Sequence, residues 1–317
     1  MGTVFIDRKD IYLKTDGNSI EFYYRGKKEG SLPITPLKRV VIVGNVKLQT
    51  TVIHKLIKNN VTVVFFTGKL KYIGTIYGSL HNNGFLRVKQ YEKSTNEFAL
   101  KLAKEIVEKK ISSNIEFLKE IVNIKPILSM HVTETIENLQ NKINSVKTAL
   151  SIDSLRGIEG TAQALYFSIY TKLYPNSYGF TKRTRRPPLD PVNAMLSFCY
   201  TLLHYETVRE IQLIGLDPTI GFYHQFEYGR ESLACDIVEM FRVDVDRLVY
   251  ELFKERHITA RDFMKDMTQG GVYLKKSGRK KFYPLYEQWA QPMRQKLRDT
   301  LRAIARRIVD AKDIISD

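Results

Sequence analysis

The feature that most restricts the fold is a change of hydrophobic period near Asn82-Asn83-Gly84. Before it, apolar residues come in short β-branched or aromatic runs, TVFID, IYLKT, SIEFYYR and RVVIVG, broken by turn signals such as Asp16-Gly17-Asn18 and Arg25-Gly26. Runs of this kind read as strands. One amphipathic helix over Thr50–Leu56 interrupts them, and two more strands follow over 61–67 and 71–77. From about Ser94 onward, apolar residues recur at helical spacing almost to the end. The pattern predicts an α+β chain. An N-terminal β-strand-rich domain, sandwich- or barrel-like, occupies 1–85. A linker spans 86–95, and a larger all-α-helical domain fills 96–317. At 317 residues, each part is long enough to bury its own core.

Charge narrows the partner. Fifty Lys and Arg face 34 Asp and Glu, a net +16, which favours a polyanion: nucleic acid first, an anionic membrane surface second. No apolar run approaches the roughly 18 residues of a membrane span, and the N-terminus shows no signal-peptide core. Cys199 and Cys235 lie in apolar helical contexts without metal-ligand spacing. These features predict a cytoplasmic protein with reduced thiols and no membrane partner.

The stretch from Gly221 to Arg242, GFYHQFEYGRESLACDIVEMFR, concentrates the chemistry. On a helix, Leu233, Ile237, Met240 and Phe241 share an apolar face, and Asp236 and Glu239 stack beside it on adjacent turns. Partly desolvated carboxylates need a cation. Spacing alone leaves two sources open: Arg242, three residues beyond Glu239, or a divalent metal held with His224. Upstream, a helix predicted to start at Gly157 carries an apolar stripe of Ile158, Ala162, Leu165, Ile169 and Leu173. Its first turn would hold Glu159, with Gly160 permitting close approach of a ligand or backbone and Tyr166 on the same flank. Lys182, Arg183, Arg185 and Arg186 form a compact basic loop suited to phosphates. Asp190-Pro191 then starts the next helix as N-cap and first residue, with Asn193 in its first turn. A last basic stretch runs from Lys275 to Arg307. It includes Lys276 and Arg279 and carries Leu297, Leu301, Ile304 and Ile308 on its apolar side.

Five segments in this order give the chain a resemblance to the CRISPR-associated adaptation integrase and endonuclease family. They are R-G-I-E-G around Glu159, R-R-P-P-L-D-P-V-N-A-M-L-S-F from Arg185, G-F-Y-H ending at His224, D-I-V-E-M-F-R from Asp236, and G-R-K-K near Lys280. The resemblance implies a metal-dependent DNA endonuclease and integrase that inserts spacer DNA into CRISPR arrays. It implies a homodimer that assembles with a small ferredoxin-like partner and acts on double-stranded spacer precursor and repeat DNA. Carried across residue by residue, Glu159, His224 and Glu239 are the catalytic metal ligands for Mg²⁺ or Mn²⁺. Asp236, Tyr166 and Asn193 are auxiliary, and Arg183, Arg185, Arg186, Lys276 and Arg279 contact DNA. Val243 departs from the family pattern, which often has proline there. Two other readings of the same residues are a non-catalytic DNA-binding scaffold, whose carboxylates only pair with arginines, and a general branched-DNA nuclease.

Overall fold

The computed structural model describes residues 2–79, 81, 83–224, 226–266 and 270–310. The chain divides into two compact units, Met1–Leu80 with Leu274–Glu287, and His81–Tyr273 with Gln288–Asp317.

The first unit contains strands β1 (Thr3–Ile6), β2 (Ile11–Asp16), β3 (Ser19–Tyr24), β4 (Lys27–Pro33), β5 (Arg39–Val43) and β6 (Lys47–Leu48). Helix α1 (Thr50–Lys58) and strands β7 (Thr62–Phe66) and β8 (Tyr72–Ile76) complete it. Two four-stranded sheets form, in the orders β1-β5-β7-β8 and β4-β3-β2-β6. The expected strands are present, but their pairing is not that of an antiparallel sandwich: β5 lies parallel to both β1 and β7, and β6 parallel to β2. Parallel neighbours require a crossover, which α1 supplies between β5 and β7. The central strand β5 is buried at all five positions, so after Arg39 the residues VVIV form a continuous apolar run instead of an alternating one. Ile6, Leu13, Ile20, Val40, Val52, Leu56 and Val63 belong to one core that spans both sheets and α1.

The segment Leu274–Glu287 belongs with this unit, which corrects the assignment of everything after 96 to the helical domain. Arg279 explains why. It is only 8 % exposed, and its guanidinium grips the Asp7 carboxylate through Nε (2.6 Å) and Nη2 (3.0 Å) while reaching the carbonyl oxygens of Gly68 and Leu274. Tyr283 donates to the same carboxylate at 2.9 Å and stacks on Phe5. Arg279 is therefore a structural tie, not the DNA contact expected of it, because its donors are already engaged. Arg279→Met should cost about 3–5 kcal/mol of unfolding free energy in this unit, since it leaves Asp7 with the Tyr283 hydroxyl but no countercharge; urea denaturation of the variant against wild type measures this.

The second unit contains α2 (Gly84–Ser94), α3 (Glu97–Ile124), α4 (Ser129–Thr148), α5 (Ile152–Tyr170), α6 (Pro191–Ile214), α7 (Ser232–Met240) and α8 (Arg242–Lys254). The short strands β9 (Phe263–Lys265) and β10 (Val272–Leu274) pair as a ribbon, so the region is not all-helical, and the last described element is α9 (Lys276–Asp310), whose residues from Gln288 belong to this unit. The linker expected over 86–95 is helix α2. Asn83 caps it by accepting from Leu86 N, and Leu86, Gln90 and Lys93 are buried. A short helix with buried polar residues lacks the apolar stripe that marks longer ones, which is why it reads as a connector.

Helix α5 starts five residues before Gly157, capped by the Ser151 hydroxyl at Ser154 N. Glu159 accordingly sits beyond the first turn, and no neighbouring side chain or backbone closes on Gly160. The buried stripe is Leu155, Ala162, Tyr166, Ile169 and Tyr170, rotated from the expected one toward the tyrosines. In α9, Leu297, Leu301, Ile304 and Ile308 are buried as expected. Its basic side is largely committed within the unit: Arg294 pairs with Glu206, Lys296 with Asp244, Arg298 with Glu210 and Arg307 with Glu105. Arg302 and Arg306 stay exposed. Among the described residues, no helix is long and apolar enough to cross a membrane.

Candidate active site

Helix α3 packs against both α5 and α7. From its buried stripe Leu102, Ile106, Lys110, Asn114 and Phe117, the 4 %-exposed Lys110 sends its ammonium between the other two helices. There Nζ donates to Glu159 Oε1 on α5 and, at 2.5 Å, to Glu239 Oε2 on α7. The second oxygen of Glu239 accepts from Arg242 Nη1 at 2.5 Å, so the pairing foreseen for Arg242 is present. Arg242 also lies over the Tyr200 ring, 4.3 Å from its centroid. Burial works against the charge of Glu239, but Arg242 and Lys110 outweigh it, with a smaller contribution from His224, and hold its pKa at about 2.

His224 comes from the loop between α6 and α7, and Asp236 builds that loop. Fully buried on α7, Asp236 accepts the backbone N–H groups of Phe222 (2.6 Å), Tyr223 (2.9 Å) and His224 (2.8 Å). It also lies 2.6 Å from His224 Nδ1. A carboxylate at Nδ1 fixes the proton there and leaves Nε2 as the outward lone pair. Gly221 is required because a Cβ would lie 2.8 Å from Asp236 Oδ2 and from the Ser232 backbone. Upstream, the buried Gln90 side chain binds the loop through Asp217 N and O and Ile220 O. Both oxygens of Asp236 are engaged by these donors, so the residue expected to be auxiliary orients the loop and the imidazole.

His224, Glu239 and Arg242 line a cleft of ≈ 800 Å³ together with Arg183, Arg185, Arg186, Arg230, Tyr200 and His204. Arg185 and Arg186 are exposed. Arg183 is half-buried, donating to Thr184 O, Asn193 Oδ1 and Ser197 Oγ, so it shapes the loop as well as lining the cleft. Asn193 is fully buried; its amide binds Thr184 N and Lys182 O beside the Asp190 cap. It organises the basic loop and is not an auxiliary of the acidic residues. Lys276 is exposed at the start of α9, in the other unit. His204, which sequence reading passed over, lies 2.6 Å from Glu231 Oε2. Burial opposes its charge, yet Cys235 and Glu231 lift its pKa to about 9, and Glu231 lines the same cleft.

Tyr166, expected near the ligands, is a core side chain, fully buried and stacked on Tyr170. Beneath the cleft, Tyr200 donates to Asp246 and Tyr170 donates to the Asp246 carbonyl at 2.8 Å. Burial raises the Asp246 pKa from 3.8 to about 6, with Tyr200 and Arg242 opposing the rise. A folded-state value above the unfolded one means that the contribution of this group to stability is fully present below about pH 4 and is lost as pH rises through about 6. The gap corresponds to about 3 kcal/mol. Asp246→Asn should therefore raise the melting temperature at pH 8 and leave it nearly unchanged at pH 4, as read by calorimetry at both values.

Among the described residues, no three His, Cys, Asp or Glu side chains stand together as a formed metal site; the Lys110 ammonium lies between the two glutamates instead. A cleft lined by arginines, Glu239 and an oriented imidazole, with Glu159 joined to Glu239 through Lys110, suits phosphodiester substrates, the class of nucleases and strand-transfer enzymes. The chain belongs to the CRISPR associated protein Cas1 family, whose model matches residues 4–288. It is 65 % identical, over the full length of both chains, to the CRISPR-associated endonuclease Cas1 1 of Thermodesulfovibrio yellowstonii. It is 31 % identical to the CRISPR-associated endonuclease Cas1 3 of Thermus thermophilus, covering 90 % of this chain and 84 % of that one. Among solved structures, a CAS1 protein from Thermotoga maritima superposes with a TM-score of 0.83 at 27 % identity, covering 97 % of each chain. A casposase bound to its integration product shares the fold, with a TM-score of 0.82 at 23 % identity over 99 % of this chain and 92 % of that one.

Proposed function

We propose that this chain is a divalent-metal-dependent DNA endonuclease and integrase that inserts spacer DNA into CRISPR arrays. Family membership supports the endonuclease class, and one geometric observation supports the site: carboxylates from helices distant in sequence meet on a single cationic atom, Lys110 Nζ. Two carboxylate groups that close on one cation and an imidazole whose Nδ1 is already engaged are a donor set suited to Mg²⁺ or Mn²⁺. Glu159, Glu239 and the Nε2 of His224 would hold the ion. Bound there, it would polarise a phosphoryl oxygen and offset charge on the attacking and departing oxygens.

The rest of the site serves that role. Arg242 keeps Glu239 ionised, and Asp236 keeps the imidazole in one tautomer. Arg185 and Arg186, exposed beside the cleft, bind phosphates and bring the incoming 3′-OH to the scissile linkage. Its proposed partners are a second copy of this chain, a small ferredoxin-like protein, and double-stranded DNA from both spacer precursor and repeat, a reading that family membership supports. A scaffold reading has one observation in its favour, since Glu239 is paired with Lys110 and Arg242 as a purely structural carboxylate would be. Incubation of the protein and its small partner with short duplexes and a repeat-bearing plasmid separates the readings. Covalent joining of duplex to repeat is the expected product. Cleavage without joining would indicate a general nuclease, and binding alone a scaffold.

A further inference from the structure

We infer that Lys110 is a resident counter-ion that competes with the dication for Glu159 and Glu239, so that metal enters the site by displacing an ammonium group. This rests on the proposed metal site and adds an element to it. Without a cation, the Glu159 and Glu239 carboxylates would repel each other across a largely buried gap, their side chains being 23 % and 13 % exposed. The single charge of Lys110 bridges them from a helix that contributes no carboxylate to the site. The same oxygens, Glu159 Oε1 and Glu239 Oε2, cannot face both the ammonium and a dication, because two cations within a coordination radius repel strongly.

The ammonium has somewhere to go. Asn114 stands one turn farther along the same buried stripe of α3, 1 % exposed, and neither its Oδ1 nor its Nδ2 has a hydrogen-bond partner among the described residues. An orphaned buried amide is costly, and residues four apart on a helix are neighbours, so Asn114 Oδ1 is an acceptor for the displaced Lys110. This accounts for a lysine and an asparagine interrupting an otherwise apolar stripe. It also gives the metal-free protein a closed, charge-balanced site.

The test is Mn²⁺ titration calorimetry and thermal melting of the purified full-length chain, with no substrate. Lys110→Met should bind Mn²⁺ about tenfold or more tightly than wild type. Its melting temperature should fall by about 5 °C or more without metal and recover when Mn²⁺ is added. Lys110→Gln, which keeps a neutral donor between the carboxylates, should shift both values the same way by less, and provides the measurement if the Met variant does not fold. Unchanged or weaker Mn²⁺ binding in both variants, with wild type binding and His224→Ala not, would overturn the role of Lys110 alone. Absence of Mn²⁺ binding in wild type and both Lys110 variants would overturn the metal site itself.

Discussion

Glu239→Gln is expected to lower strand transfer by about a thousandfold or more while leaving duplex affinity within about threefold, and Glu159→Gln and His224→Ala should do the same. The amide keeps the volume of Glu239 and one acceptor oxygen, but its NH₂ must face either Arg242 or Lys110, so circular dichroism of the variant accompanies the assay. What it lacks is the charge that Arg242 and Lys110 hold in place down to about pH 2. Arg183, Arg185 and Arg186 of the cleft wall are untouched. Gel-based joining assays and binding isotherms on the same preparations check both halves, and a variant with wild-type transfer would remove its residue from the site.

The second large effect is expected at a residue that touches no substrate. Asp236→Asn replaces one acceptor oxygen with an NH₂ group that faces the N–H groups of Phe222 and Tyr223, or else His224, all of which need an acceptor. The loop then loses its tie and the imidazole loses its fixed proton. Strand transfer and Mn²⁺ affinity should both fall by about 10- to 100-fold. A nitrogen chemical-shift measurement on His224 should show the Nδ1-protonated form giving way to a mixture. A purely structural Asp236 would lower stability without moving that tautomer ratio or the metal affinity.

Much of this site was legible because its parts are punctuated in the sequence. Gly221 before an aromatic pair, a histidine, and two acids three apart on an apolar-faced helix mark a tight loop joined to a buried carboxylate. The glycine's contact with Asp236 is the reason. The two-unit division was visible in the change of period, since strand runs such as RVVIV and helical stripes such as Leu102, Ile106 and Phe117 follow different repeats. What stayed hidden is what depends on partners from elsewhere in the chain. Lys110 reads as one more lysine of a charged helix until α3 is seen buried between α5 and α7, although its position in line with Ile106 and Asn114 is a signal. Arg279 and the arginines of α9 looked like a DNA footprint because the sequence shows charge but not the carboxylates it meets: Asp7, Glu206, Glu210 and Glu105. Tyr166 sits on the flank of Glu159 by helical arithmetic, yet the core claims its ring.

The claim beneath all of this is that Glu159, His224 and Glu239 gather around one dication. A crystal grown or soaked with Mn²⁺, with data collected at the manganese edge, measures that directly. The expected result is an anomalous peak bonded to an oxygen of each glutamate and to His224 Nε2, with the Lys110 ammonium turned away toward Asn114. Saturating Mn²⁺ with no peak there, and Lys110 still bridging the two carboxylates, would contradict it.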